Sequence, residues 1–191
     1  RTALRHKKHG LYCELSWDSY RRMVDHATYG WMDLGIQPGD RVAMLSENRV
    51  EWLIADLSIL AAGAVDVSLH APLTAPQIAY QLADSGARWV VVSTQEQLAK
   101  VLEVREQLPE LEGVVVFDAV KERATEPETP SGLDAFVPSN SFPKGGEARK
   151  SIRFLSWPGL LMRGQRVAAE FAPRQRELEK QLGSDDLAAL M

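Results

Sequence analysis

His6 and His9, three apart in the stretch RHKKH, are the first residues whose type and spacing could do chemistry, because two imidazoles can share a metal ion. Such a site needs further ligands arriving from elsewhere, and three adjacent cations oppose it, so a solvated strand or arm is the plainer reading. SNSFPKGG at 139–146 superficially resembles a phosphate-binding loop, in which glycines let backbone N–H groups surround phosphate oxygens while a lysine neutralises charge. Asn140 and Phe142 occupy positions where close backbone approach demands glycine, and no apolar strand precedes the segment, so a mobile linker is expected instead. LSENRVEW runs from a strand end into a helix start, where backbone amides could meet an anion. The duller roles are that Asn48 caps the helix, Arg49 and Glu51 face water, and Trp52 packs. His70 follows another strand end and reads as a hydrogen-bonded structural histidine. Cys13, the only cysteine, reads as a small core residue. Asp185 and Asp186 are adjacent, so on an extended chain their side chains diverge. No residue is therefore assigned a catalytic, cofactor-binding or metal-binding role.

Elements must position whatever chemistry there is, and composition bounds them. At 191 residues, 45% hydrophobic and 25% charged, the chain is long enough for one domain with a sizeable core. A net charge of −4 offers no broad basic surface, so nucleic acid is not an expected partner. One cysteine precludes an internal disulfide framework and suggests a reducing compartment. The longest apolar stretch, LIADLSILAAGAV, carries Asp56 and is shorter than the roughly 18 to 20 residues of a membrane span. There is no signal peptide, and residue 1 is Arg, so the chain is expected to begin inside a longer polypeptide.

Trp17, Tyr20, Met23, Val24, Ala27, Trp31 and Leu34 recur at three- and four-residue spacings, predicting a helix from a Ser16 cap to a Gly35 stop. Pro38-Gly39 suits the centre of a type II turn, and Val42 to Leu45 follow as a buried strand. A second helix is expected to bury Val50, Leu53, Ile54, Leu57 and Leu60/Ala61 beneath an Asn48 cap. AVDVSL, RWVVVS and GVVVFD read as further strands, with helices in TAPQIAYQLADSG and QEQLAKVLEVREQL between them. Strands this apolar at consecutive positions belong in a mostly parallel, doubly wound α/β sheet with flanking helices. Residues 121–150 are Pro- and Gly-rich and read as a long loop or insertion between an α/β subdomain at 1–120 and a tail at 151–191. Two short helices, the second broken or begun near Pro173, are expected in that tail. The closing GSDDLAALM fits either a helix cap or a loop before a buried strand.

Seven segments taken in order carry a resemblance. Leu-Gly-Ile at 34–36, Gly-Asp-Arg-Val at 39–42, Ser-Glu-Asn-Arg at 46–49 and Glu-Trp at 51–52 come first. Ala-Ala-Gly-Ala at 61–64, Gln-Ile-Ala-Tyr at 77–80 and Asp-Ser-Gly-Ala at 84–87 follow. This series resembles the N-terminal region of adenylate-forming enzymes, specifically the long-chain fatty-acid–CoA ligases of the AMP-binding superfamily. ALRHKKHG, ELSWDSY, SWPGLLMRG and the closing DDLA extend the likeness, while 121–150 matches poorly and Ser68 departs from a common proline. The resemblance implies an incomplete N-terminal portion of the large domain. It also weights GSDDLAALM towards a strand, with Asp185 and Asp186 structural.

In such a ligase ATP and a fatty acid give an acyl-adenylate and pyrophosphate, and coenzyme A then displaces AMP. Attack on the α-phosphate calls for Mg²⁺, backbone donors and a lysine. The family's Thr-Ser-Gly-Thr-Thr-Gly loop, Tyr-Gly-x-Thr-Glu segment, ribose-binding aspartate and catalytic lysine are not in residues 1–191. The resemblance therefore implies a chain inactive alone, whose parent uses ATP, Mg²⁺ and CoA. Its partners would be the remainder of the polypeptide and a fatty acid. The alternative is a non-catalytic acyl-binding or protein-interaction module, which would have to dimerise or pair its edge strand with another chain. The expected location is the cytoplasm, with peripheral membrane attachment as the variant.

Overall fold

The computed structural model describes residues 1–8, 10–118, 152–181, 183 and 186–190. His9, Ser184, Asp185, Met191, SNSFPKGG and the whole 121–150 segment lie outside them. Strands β1 (Thr2–Lys8) and β2 (Leu11–Ser16) pair as an antiparallel hairpin, so Arg5 to Lys8 form the end of a strand. After helix α1 (Trp17–Asp33), strands alternate with helices: β3 (Arg41–Leu45), α2 (Val50–Ala61), β4 (Val65–Leu69), α3 (Ala75–Ser85), β5 (Trp89–Val92), α4 (Gln95–Glu103) and β6 (Gly113–Val116). Strand β7 (Arg153–Ser156), helix α5 (Trp157–Gln181) and strand β8 (Ala189–Leu190) complete the order. The sheet runs β7-β6-β5-β3-β4-β8, and every pairing in it is parallel.

Strand periodicity divides the core in two. Val42, Met44, Trp89, Val91 and Val115 face a layer made by α1, α2 and α5. Ala43, Leu45, Val67, Leu69, Val90, Val92, Val114 and Val116 face α3 and α4. Buried on both faces, these strands are the doubly wound α/β sheet that their apolar runs predict. Each fully buried Val, Ile or Leu contributes roughly 1.5 to 3 kcal/mol through the water-exposed area it removes.

Local chemistry sets the boundaries. Ser16 Oγ accepts the Ser19 amide at 3.2 Å and caps α1. Gly35, at φ 92°, ends it: its N–H reaches Met32 O while the Ile36 N–H reaches Trp31 O, satisfying two terminal carbonyls. Gln37 to Asp40 close the type II turn, with Gly39 at φ 82° and Asp40 N–H donating to Gln37 O at 3.0 Å. Thr74 and Gln77 form a capping box on α3, and Gly86 stops it in the left-handed region.

Four expectations are corrected. Arg49, not Asn48, is the N-cap of α2, and its side chain makes no capping bond. Leu53 and Leu57 are 38% and 42% exposed, because α2 is the outermost helix of its layer and buries Ile54, Ala55, Ser58 and Ile59 instead. Trp17 is 57% exposed at the start of α1, stacked obliquely on Tyr20, whereas Thr28, Tyr29, Gly30 and Met32 are buried. Helix α1 lies between α2 and α5, so it buries more than one stripe. The tail forms one helix, α5, with Pro173 inside it. Proline removes an N–H and crowds the carbonyl four residues back, and packing along α1 carries the helix through that defect.

Two glycines permit the α1–α5 contact. A Cβ on Gly30 would lie 2.6 Å from Leu160 O, and one on Gly164 would overlap the carbonyl of His26. Backbone meets backbone there, which no rotamer change relieves. Gly164→Ala is expected to destabilise the fold by about 2 to 3 kcal/mol or to prevent folding, measured by urea unfolding. Pro173→Ala restores one helical hydrogen bond and is expected to stabilise by roughly 1 to 3 kcal/mol, read as a higher Tm.

Candidate functional site

An open α/β sheet binds ligands beyond the carboxyl ends of its strands, where successive connections leave in opposite directions. That point is the crevice between β3 and β5: α2 carries the chain from β3 to β4 on one side, and α4 carries it from β5 to β6 on the other. The loop after β3 is Ser46-Glu47-Asn48-Arg49, and the turn after β5 is Ser93-Thr94.

Glu47 closes the crevice. Its Oε2 accepts the Ser93 hydroxyl at 2.5 Å, and its Oε1 accepts the Gln97 amide at 3.1 Å. The Ser93 bond is the main reason its carboxyl is held below the usual glutamate range. Gln97, almost fully buried, also donates to Ala71 O at 3.0 Å, tying in the loop after β4. Its Oε1 has no hydrogen-bond partner among the described residues. Arg49 does not face water as expected. It donates to Glu51 at 2.8 Å and to Asp118 at 2.9 Å, and its guanidinium lies 5.3 Å from the centre of the Phe117 ring. Phe117 in turn meets Trp157 edge-on with centroids 5.1 Å apart, linking this corner to α5.

The strands' other ends are braced by arginines. Arg41 donates to Ser85 O at 2.8 Å and to Gly86 O at 3.0 Å, Arg88 pairs with Asp40 and with Glu112, and Arg153 reaches Glu112 at 3.0 Å. Both ends of the sheet are thus cross-tied by internal charges and amides. Such an arrangement positions backbone; it leaves no free nucleophile–base pair at the crevice among the described residues.

The remaining candidates do not converge. His6 stands opposite Cys13 in the hairpin, its Nδ1 buried without a partner among the described residues. His70 is exposed beyond β4. Asp186 accepts the Gly183 amide at 2.7 Å in a turn, and the following segment is strand β8, the alternative favoured for GSDDLAALM. Among the described residues no three His, Cys, Asp or Glu side chains form a group able to hold a metal ion.

One functional group escaped the sequence reading. Asp66 of β4 is 1% exposed on the α2 side of the sheet, where its carboxyl is pushed up to about 6 by burial. Its Oδ2 accepts the Ser68 hydroxyl at 2.6 Å, while Oδ1 has no hydrogen-bond partner among the described residues. The strict alternation in Val-Asp-Val-Ser-Leu was the available signal: Val67 and Leu69 share one face, so Asp66 and Ser68 must share the other.

Known proteins share this architecture. The chain is 31% identical to the long-chain-fatty-acid–CoA ligase ACSBG2 of Xenopus laevis over 63% of its own length and 16% of that protein's. It is 33% identical to the long-chain-fatty-acid–CoA ligase FadD15 of Mycobacterium bovis over 56% of its own length and 18% of that protein's. Among solved structures, an acyl-CoA synthetase of Brucella canis superposes with a TM-score of 0.57 at 27% identity, covering 66% of this chain and 22% of that one. The chain thus spans under a fifth of the length of these curated relatives. A family model described as AMP-binding enzyme matches residues 1–191, and the chain belongs to that family.

Proposed function

We propose that this α/β unit is the scaffold portion of an ATP-dependent long-chain fatty-acid–CoA ligase, which joins a fatty acid to coenzyme A through an acyl-adenylate. The observation that carries the reading is the family match along the whole chain, supported by relatives bearing that ligase name. ATP, Mg²⁺ and CoA belong to the parent enzyme. The reading divides the chain into an α/β subdomain at 1–120, a Pro/Gly-rich loop or insertion at 121–150, and a tail at 151–191 that leads into a strand. No described helix is long and apolar enough to cross a membrane.

The unit's own contribution is rigidity. Glu47, Ser93, Gln97 and Arg49 hold the strand ends that the reacting parts of the parent would rest upon.

The product of the complete reading frame is expected to form acyl-CoA from palmitate, ATP and CoA, while the 191-residue chain alone supports no palmitate-dependent exchange of pyrophosphate into ATP. Failure of the complete product would sink the ligase reading in favour of a non-catalytic module, and exchange by the chain alone would show that this unit carries catalytic groups. Glu47→Ala leaves the buried Ser93 hydroxyl unpaired and is expected to cost roughly 1 to 2 kcal/mol of stability in urea unfolding. Turnover of the folded complete product should stay near the parental rate; loss of turnover at unchanged stability would instead place Glu47 in the chemistry.

A further inference from the structure

The β1–β2 hairpin reaches past the helix that supports it. Leu15 packs against the core cluster to which α1 contributes Val24 and Ala27, whereas Leu11, on the same face of β2, is 73% exposed. Tyr12, on the opposite face, is 79% exposed and stands across the ladder from Lys7, itself exposed. The Trp17 N–H donates to Arg1 O at the root of the hairpin, so the tip is the end remote from Arg1. Residues 1–12 hold four cations, Arg1, Arg5, Lys7 and Lys8, and no acid; in a chain of net charge −4 the remaining residues therefore carry −8 together. We propose that this tip is a docking prong for an anionic lipid surface: Leu11 and Tyr12 enter the headgroup region, and the cations of β1 supply the attraction.

A single exposed leucine needs no partner, because folded surfaces are apolar in large part. Here a leucine and a tyrosine are neighbours at a projecting end, one on each face of a two-stranded ribbon, so the ribbon itself cannot cover both. Their surroundings select the occupant. A tyrosine ring suits the boundary between acyl chains and headgroups, with its hydroxyl in water, and lysine stems lie along apolar surface while their ammonium groups stay at headgroup level. Arg5 is already paired with Glu14 at 2.8 Å, so it braces the ribbon and leaves Lys7, Lys8 and Arg1 as the source of the positive field. Nucleic acid asks for a broader basic surface than one hairpin offers. The negative remainder of the chain is repelled by an anionic leaflet, so the hairpin alone faces the membrane and the orientation is fixed tip-down.

Each lysine close to an anionic leaflet strengthens partitioning about fivefold, so Lys7 and Lys8 together contribute about thirtyfold. This attraction weakens as added salt shortens the Debye length. The inference stands apart from the ligase reading, and its test reads binding, not turnover.

Sedimentation of the complete reading frame's product with lipid vesicles provides that test. Binding is expected to phosphatidylcholine vesicles containing roughly a third phosphatidylglycerol, and to weaken at least about thirtyfold on pure phosphatidylcholine. On the mixed vesicles K7Q/K8Q is expected to bind about thirtyfold more weakly and L11S/Y12S about tenfold more weakly, with the circular dichroism of each unchanged. Equal binding to both kinds of vesicle overturns the proposal, as does parental binding by L11S/Y12S. Absence of binding by the parent at low salt also overturns it and leaves the tip to an acidic protein surface. Should a double variant fail to fold, hydrogen exchange of the parent replaces it. Peptides covering residues 5–13 must then exchange more slowly on the mixed vesicles than in solution, and unchanged exchange there overturns the prong.

Discussion

The contact between Gly30 and Gly164 is the constraint on which the larger core depends. It lets α1 and α5 approach until backbone touches backbone, and so brings α5 over the edge of the sheet where β6 and β7 lie. Without that approach Leu160 and Trp157 could not seal the cluster that holds Trp31, Trp89 and Phe117. Trp31 and Trp89 meet edge-on with centroids 6.1 Å apart, and the Trp31 N–H donates to the Ser58 hydroxyl at 3.1 Å, locking α1 to α2 as well. One pair of missing methyl groups thus fixes the spacing of an entire helical layer.

The charged residues act on the backbone more than on one another. Arg41 satisfies two carbonyls at the end of α3, and Gln97 satisfies Ala71 O, so loops far apart in sequence share donors. Partly exposed ion pairs alone contribute little, typically under about 1 kcal/mol. Here they determine where the strand ends sit.

Much of this was legible in the sequence. The Val-rich runs, Gly35, Pro38-Gly39 and Gly86 announced strands, stops and turns, because each works through local sterics. What escaped depended on neighbours. Leu53 and Leu57 look like core on a helical wheel, and only the outer position of α2 exposes them. Pro173 reads as a helix break unless α1 is known to lie alongside. Arg49 seemed a solvent-facing charge, but its Asp118 partner is 69 residues away, a pairing no local pattern encodes. Asp66 shows in the alternation of its strand, but buried parallel strands are otherwise apolar on both faces, which masks a single acid among them.

The strand order carries a last consequence. The first strand of the large sheet, β3, lies inside it, between β4 and β5. During synthesis its β5 edge stays unpaired until residue 92 has emerged, an interval of roughly 2 to 10 seconds at ribosomal speeds. Val-Ala-Met-Leu, uncharged and apolar, waits open through that time. An uncharged apolar edge of this kind is a template on which another chain can pair.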